Sequence, residues 1–67
     1  MSENSAFVIE RYINSILHYW AGRAPDDFVS NHANAIRFTR REDGELILGW
    51  LLHGQGRVAE HVWSDLL

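Results

Sequence analysis

Apolar and polar positions alternate between two regimes along this chain. Over residues 5–21 the apolar residues Ile9, Tyr12, Ile13, Ile16, Leu17 and Trp20 recur at intervals of three and four, which predicts one broad stripe on an amphipathic helix. Arg11, Asn14, Ser15 and His18 fall on its polar side, and Phe7 projects away from the stripe. Gly22, with Pro25 beyond it, supplies the stop.

The next strong pattern, residues 36–52, places two apolar runs around Glu42-Asp43-Gly44 and predicts a β-hairpin. A two-residue Asp43-Gly44 loop would set Glu42 opposite Glu45, an unfavourable like-charge pair. A three-residue loop closed by a bulge at Gly44 sets Arg41 opposite Glu45 instead, and pairs Arg40 with Leu46, Phe38 with Leu48 and Ile36 with Trp50. In that register Ile36, Phe38, Leu46, Leu48, Trp50 and Leu52 share a face that the helix covers. Ile47 and Leu51 occupy the other face and need cover of their own.

Two shorter segments complete the reading. Pro25-Asp26-Asp27 before Phe28 and Val29 predicts one or two helical turns over 25–31, with proline at the first position and acids at the positive end of the dipole. Beyond the break at Gly54 and Gly56, Ala59, Val62, Trp63 and Leu66 fit the helical template over 57–67. The alternative is a third antiparallel strand over 57–63, covering an edge of 46–52. The expected fold is therefore α+β: an N-terminal amphipathic helix packed on a β-hairpin, a short second helical turn, and a C-terminal helix or third strand, all within one domain of 67 residues.

Size changes the functional expectation. A chain this short buries only roughly 60% of its unfolded surface, so a partner subunit would add materially to its core. Cysteine is absent, which removes disulfides and thiolate metal sites and fits a reducing compartment. The first residues show no secretory pattern, and no apolar run approaches the roughly 20 residues that span a bilayer. The expectation is a cytoplasmic protein without a membrane association.

Candidate chemistry is sparse. His18, His32, His53 and His61 are not spaced as ligands on one element, so no metal and no cofactor is expected. Asp26, Asp27, Glu42, Asp43 and Glu45 sit where helix starts and turns employ acids, and no nucleophile or phosphate-cradling motif is present, so no enzyme is expected. Arg37, Arg40 and Arg41 beside Phe38 form the one concentrated basic stretch, a possible nucleic-acid contact weighed against a net charge of −3.

Three tryptophans remain. Trp20 and Trp50 fall at core positions of the expected elements, whereas Trp63, with Leu66 and Leu67, is the candidate contact outside the monomer. Together with Ile47 and Leu51 these residues define an expected protein interface. The function expected is a small non-enzymatic interaction module, an adaptor, inhibitor or regulatory subunit that binds another protein and forms a homodimer. The alternative is a nucleic-acid-binding regulator acting through the three arginines.

Overall fold

A computed structural model describes residues 3–64. Four antiparallel strands form one sheet in the order β3-β2-β1-β4, and one helix lies against it. The strands are β1 (Glu3–Ile13), β2 (Ile16–Trp20), β3 (Phe28–Val29) and β4 (Arg57–Ser64); the helix α1 is Arg41–Trp50, and a 3-10 turn spans His32–Asn34.

The expected N-terminal helix is overturned: its segment is the β1–β2 hairpin, paired from Ile13 with Ile16 to Glu10 with Tyr19. Asn14 and Ser15 turn the chain with φ of 54° and 68°, the left-handed pair that a two-residue turn needs to match the twist of its strands. The physical reason lies in Val8 and Ile9, neighbours that point to opposite faces and are both 0% exposed. A strand buried on both faces loses its alternation and reads as a continuous apolar run, in which a helical stripe can be found by coincidence.

The expected hairpin over 36–52 is overturned in the opposite sense. Its second half is α1, with Glu42 and Asp43 in the first turn, where the helix dipole favours negative charge. Gly44, Ile47, Leu48, Leu51 and Leu52 then turn inward at helical spacing, Leu48 and Leu52 into the core and Ile47 and Leu51 against it. Gly44 is therefore a packing residue rather than a turn residue. A Cβ there would stand 3.2 Å from both methyl groups of Val58 on β4, so glycine lets the helix approach the sheet closely.

The helical turn expected over 25–31 is replaced by β3, which pairs Phe28 with Trp20 and Val29 with Tyr19, and by the 3-10 turn that follows. The C-terminal helix is likewise replaced, within the described residues, by β4. A strand over this segment was the alternative, but its partner is β1, from Glu10 with Arg57 to Glu3 with Ser64, and not residues 46–52.

Chain tracing explains how both faces are covered. After Trp20 the chain leaves β2, makes the outer strand β3, crosses the sheet through the 3-10 turn, and returns at Ile36, whose N–H bonds the Trp20 carbonyl at 3.0 Å. Phe38 then pairs with Phe7 through two 2.8 Å hydrogen bonds, continuing the row that β2 began. On one face Ile9, Trp20 and Val58 meet Leu48 and Leu52 of the helical segment. On the other, Val8 and Trp63 meet Ala35 of the crossing segment, flanked by Ala6 and Tyr19.

Candidate functional site

The crossing segment, residues 30–37, meets the sheet at a cluster of polar and aromatic side chains. Asn31 caps the 3-10 turn by accepting a hydrogen bond from the Ala33 N–H at 3.0 Å, which fixes His32 over the sheet. Below it the ladders bring residues of three strands to one face: His61 opposite Ala6, Trp63 opposite Asn4, and Tyr19 opposite Glu10. His32 Nδ1 lies 2.8 Å from His61 Nε2, and Trp63 donates its indole N–H to the His32 carbonyl at 3.2 Å. The Arg37 guanidinium stacks 4.0 Å from the centre of the Trp63 ring, closing the cluster from the solvent side.

A hydrogen bond between two imidazoles requires one nitrogen to donate and the other to accept, so the pair holds one proton between these atoms. Burial, then His32 and Arg37, push the His61 pKa down, with Glu10 opposing. Tyr19, whose ring stands 5.4 Å from that of His61, is pushed up by burial first and then by Glu10 and Tyr12. Glu10 itself is buried, and Arg57 meets its Oε1 with Nε and Nη2, both at 3.1 Å. Among the described residues, no three His, Cys, Asp or Glu side chains gather as metal ligands. His18 instead contacts the Ile16 carbonyl at 2.8 Å, and His53 is exposed just past α1.

A second feature lies on the outer surface of α1. Leu46 and Trp50, one helical turn apart, are 69% and 74% exposed. Between them Gly49 leaves open space, with no other group within 4 Å of where its Cβ would be. The two residues project from the side opposite Leu48 and Leu52, and the pair is apolar surface without cover from the chain's described residues.

The residues expected at an interface are dispersed by this fold. Ile47 on α1 and Leu51 just past its end are half-buried against the helix-side core, while Trp63 is 9% exposed on the opposite face of the sheet. Leu66 and Leu67 lie outside the described residues. The arginines separate in the same way. Arg37 covers Trp63, Arg40 pairs with Asp43 at 2.9 Å, and Arg41 stacks 5.0 Å from the centre of the Phe7 ring while reaching the Val58 carbonyl at 3.3 Å.

Sequence spacing held no signal for His32 and His61, which lie 29 residues apart and meet only because the crossing segment passes over β4. Leu46 and Trp50 did carry one: they are the apolar positions left outside when Gly44, Leu48 and Leu52 face inward. Trp50, expected in the core, is there only in the hairpin register.

Two open clefts of about 230 Å³ and about 300 Å³ are lined by Glu10, Arg11, Tyr12, Gly56 and Arg57, and by Ala21, Arg23 and Asn34. Among the described residues, no helix is long and apolar enough to cross a membrane. Comparison with known protein families, with curated proteins and with solved structures found no match for this chain.

Proposed function

We propose that this chain is a non-enzymatic protein–protein interaction module that also associates with itself, in the manner of an adaptor, inhibitor or regulatory subunit. The observation that carries the reading is the exposed Leu46–Trp50 pair on α1. Tryptophan is the residue type most enriched among interface hot spots, and a helix face with apolar residues at i and i+4 is a common way to dock into a groove. Apolar surface left uncovered among the described residues, at Leu46, Trp50 and Val62, supplies the motive for self-association.

The polar cluster supports a structural role in preference to catalysis. Its imidazoles, indole and guanidinium are engaged within the cluster, and of the two clefts one falls below and one only reaches the lower limit of roughly 300 Å³ for ligand pockets. The nucleic-acid reading draws less support, because Arg37, Arg40 and Arg41 each engage a neighbour within the chain and do not form one basic surface. A cytoplasmic setting is in keeping with the lack of cysteine.

Affinity capture with the wild type and with a Leu46→Asp/Trp50→Asp double variant tests the helix surface. Proteins bound by the wild type and lost from a folded double variant are the expected result. Capture of the same proteins by both would overturn the assignment of that surface. Sedimentation equilibrium over a wide concentration range tests self-association, which a monomer at every concentration would overturn.

A further inference from the structure

β4 is an edge strand, and its hydrogen-bonding geometry shows what lies open along it. Phe7 directs both its N–H and its carbonyl to Phe38, away from β4. Glu60 is the residue opposite Phe7 in the β1–β4 register, so that pair is a non-hydrogen-bonded one. The backbone groups of Glu60 therefore point outward, and by the two-residue alternation so do those of Val58 and Val62. Arg41 agrees with the assignment, since the Val58 carbonyl accepts from its Nη1 at 3.3 Å.

The outer edge is poorly defended. Arg41 occupies the Val58 carbonyl, but among the described residues the outward amides of Glu60 and Val62 meet no backbone partner. Proteins usually blunt such an edge with charged side chains, a proline, a bulge or a cover; on β4 Arg57 is drawn to Glu10, which leaves Glu60 as the one charge in the open stretch among the described residues. Here the register with β1 runs without a break from Glu10–Arg57 to Glu3–Ser64, and β4 contains no proline. Val62, on the helix side of the strand, is 50% exposed at the middle of the open stretch.

The geometry points to β4 as a homodimer interface in which the same strand of a second copy adds antiparallel to this edge. The inference rests on the self-association reading above and assigns it a surface distinct from Leu46 and Trp50. Antiparallel pairing of identical strands places a two-fold axis perpendicular to the sheet, so each outward group meets its complement in the copy. A register centred on Glu60 would set two carboxylates face to face. One centred on His61 would oppose two imidazoles, each already engaged with His32 of its own chain. Centring on Val62 buries it against Val62 of the second copy and sets Glu60 opposite Ser64 of that copy. The product is a continuous eight-stranded sheet with both helices on one face.

The test is sedimentation equilibrium of the full chain with two edge variants and one control. Val62→Pro removes an N–H that faces outward and leaves the β1 ladder intact; Val62→Lys places two ammonium groups on the axis. Trp50→Asp is the control on the other surface. The inference expects a wild-type dimer, association weakened by about tenfold or more in each edge variant, and an unchanged dimer for Trp50→Asp. Hydrogen exchange on the wild type gives a reading independent of mutation: the Glu60 and Val62 amides should slow as concentration rises. A dimer that persists in folded Val62→Lys, with no concentration-dependent protection at Glu60 and Val62, overturns the edge assignment and leaves self-association through another surface. A wild-type monomer at all concentrations overturns both.

Discussion

His32 Nδ1 and His61 Nε2 stand 2.8 Å apart across the crossing segment and β4, and this contact links the pH of the solution to the cover of one sheet face. Protonation of His61 sets an imidazolium beside Arg37, with Glu10 the acid that opposes the repulsion and the Tyr19 ring at the margin. Burial, His32 and Arg37 hold the His61 pKa below 6.5, so the unfolded chain takes up its proton first. The stability held above about pH 6.5 is lost as pH falls through the lowered value in the folded state. Denaturant midpoints measured between pH 7.5 and 5 should fall for the wild type and flatten for His61→Asn. Equal slopes for the two would remove His61 as the source.

Glycines 44 and 49 lie in the same helix and predict opposite outcomes. Gly49→Ala enters open space and should stabilise the chain by up to about 1 kcal/mol through helix propensity. Gly44→Ala gains the same propensity but presses a methyl group on Val58 at 3.2 Å. Overpacking of about 1–3 kcal/mol then wins, and the variant should melt below the wild type. Paired thermal melts decide it, and a Gly44→Ala variant as stable as Gly49→Ala would refute the close approach.

The β1–β2 turn holds Ser15 at φ 68°, where a Cβ is crowded. Ser15→Gly should remove that crowding and raise stability by up to about 1 kcal/mol, less what the more flexible unfolded chain takes back. A rise of a few degrees in Tm is the expected reading. A fall would mean that the turn is not of the left-handed type.

The two tryptophans that exchanged places between expectation and structure should differ sharply. Trp63→Ala empties a core position and abandons the hydrogen bond to the His32 carbonyl, a loss of about 3–5 kcal/mol. Trp50→Ala trims an exposed side chain and should change monomer stability by no more than about 0.5 kcal/mol. Urea titrations of both variants read the difference directly, and comparable losses would contradict the burial of Trp63 and the exposure of Trp50.

Some of this was legible along the chain. The breaks at Gly22 to Pro25 and at Gly54 to Gly56 separate the elements found, and the apolar segments between them are those that pack. Acids before Leu46 mark the start of a helix as readily as the tip of a turn, and Asp43-Gly44 by itself favours the turn. What decides between them is Val58: only when the strand after the second break lies under the helix does Gly44 have a reason to be glycine.

Composition and hydrophobic order by themselves determined that this is a short chain without disulfides, divided at two glycine-containing breaks, with more apolar and aromatic residues than one face of a sheet could hide. Tertiary structure decided the type of every element. Val8 and Ile9 can both be buried in a strand only if each face of the sheet is covered, one by α1 and the other by the segment bearing His32 and Ala35. That double cover erases the two-residue alternation by which a strand announces itself, and it depends on contacts between residues far apart in the chain. The same long-range contacts turned Trp63 inward, left Trp50 in solvent, and brought together two histidines whose spacing had predicted nothing.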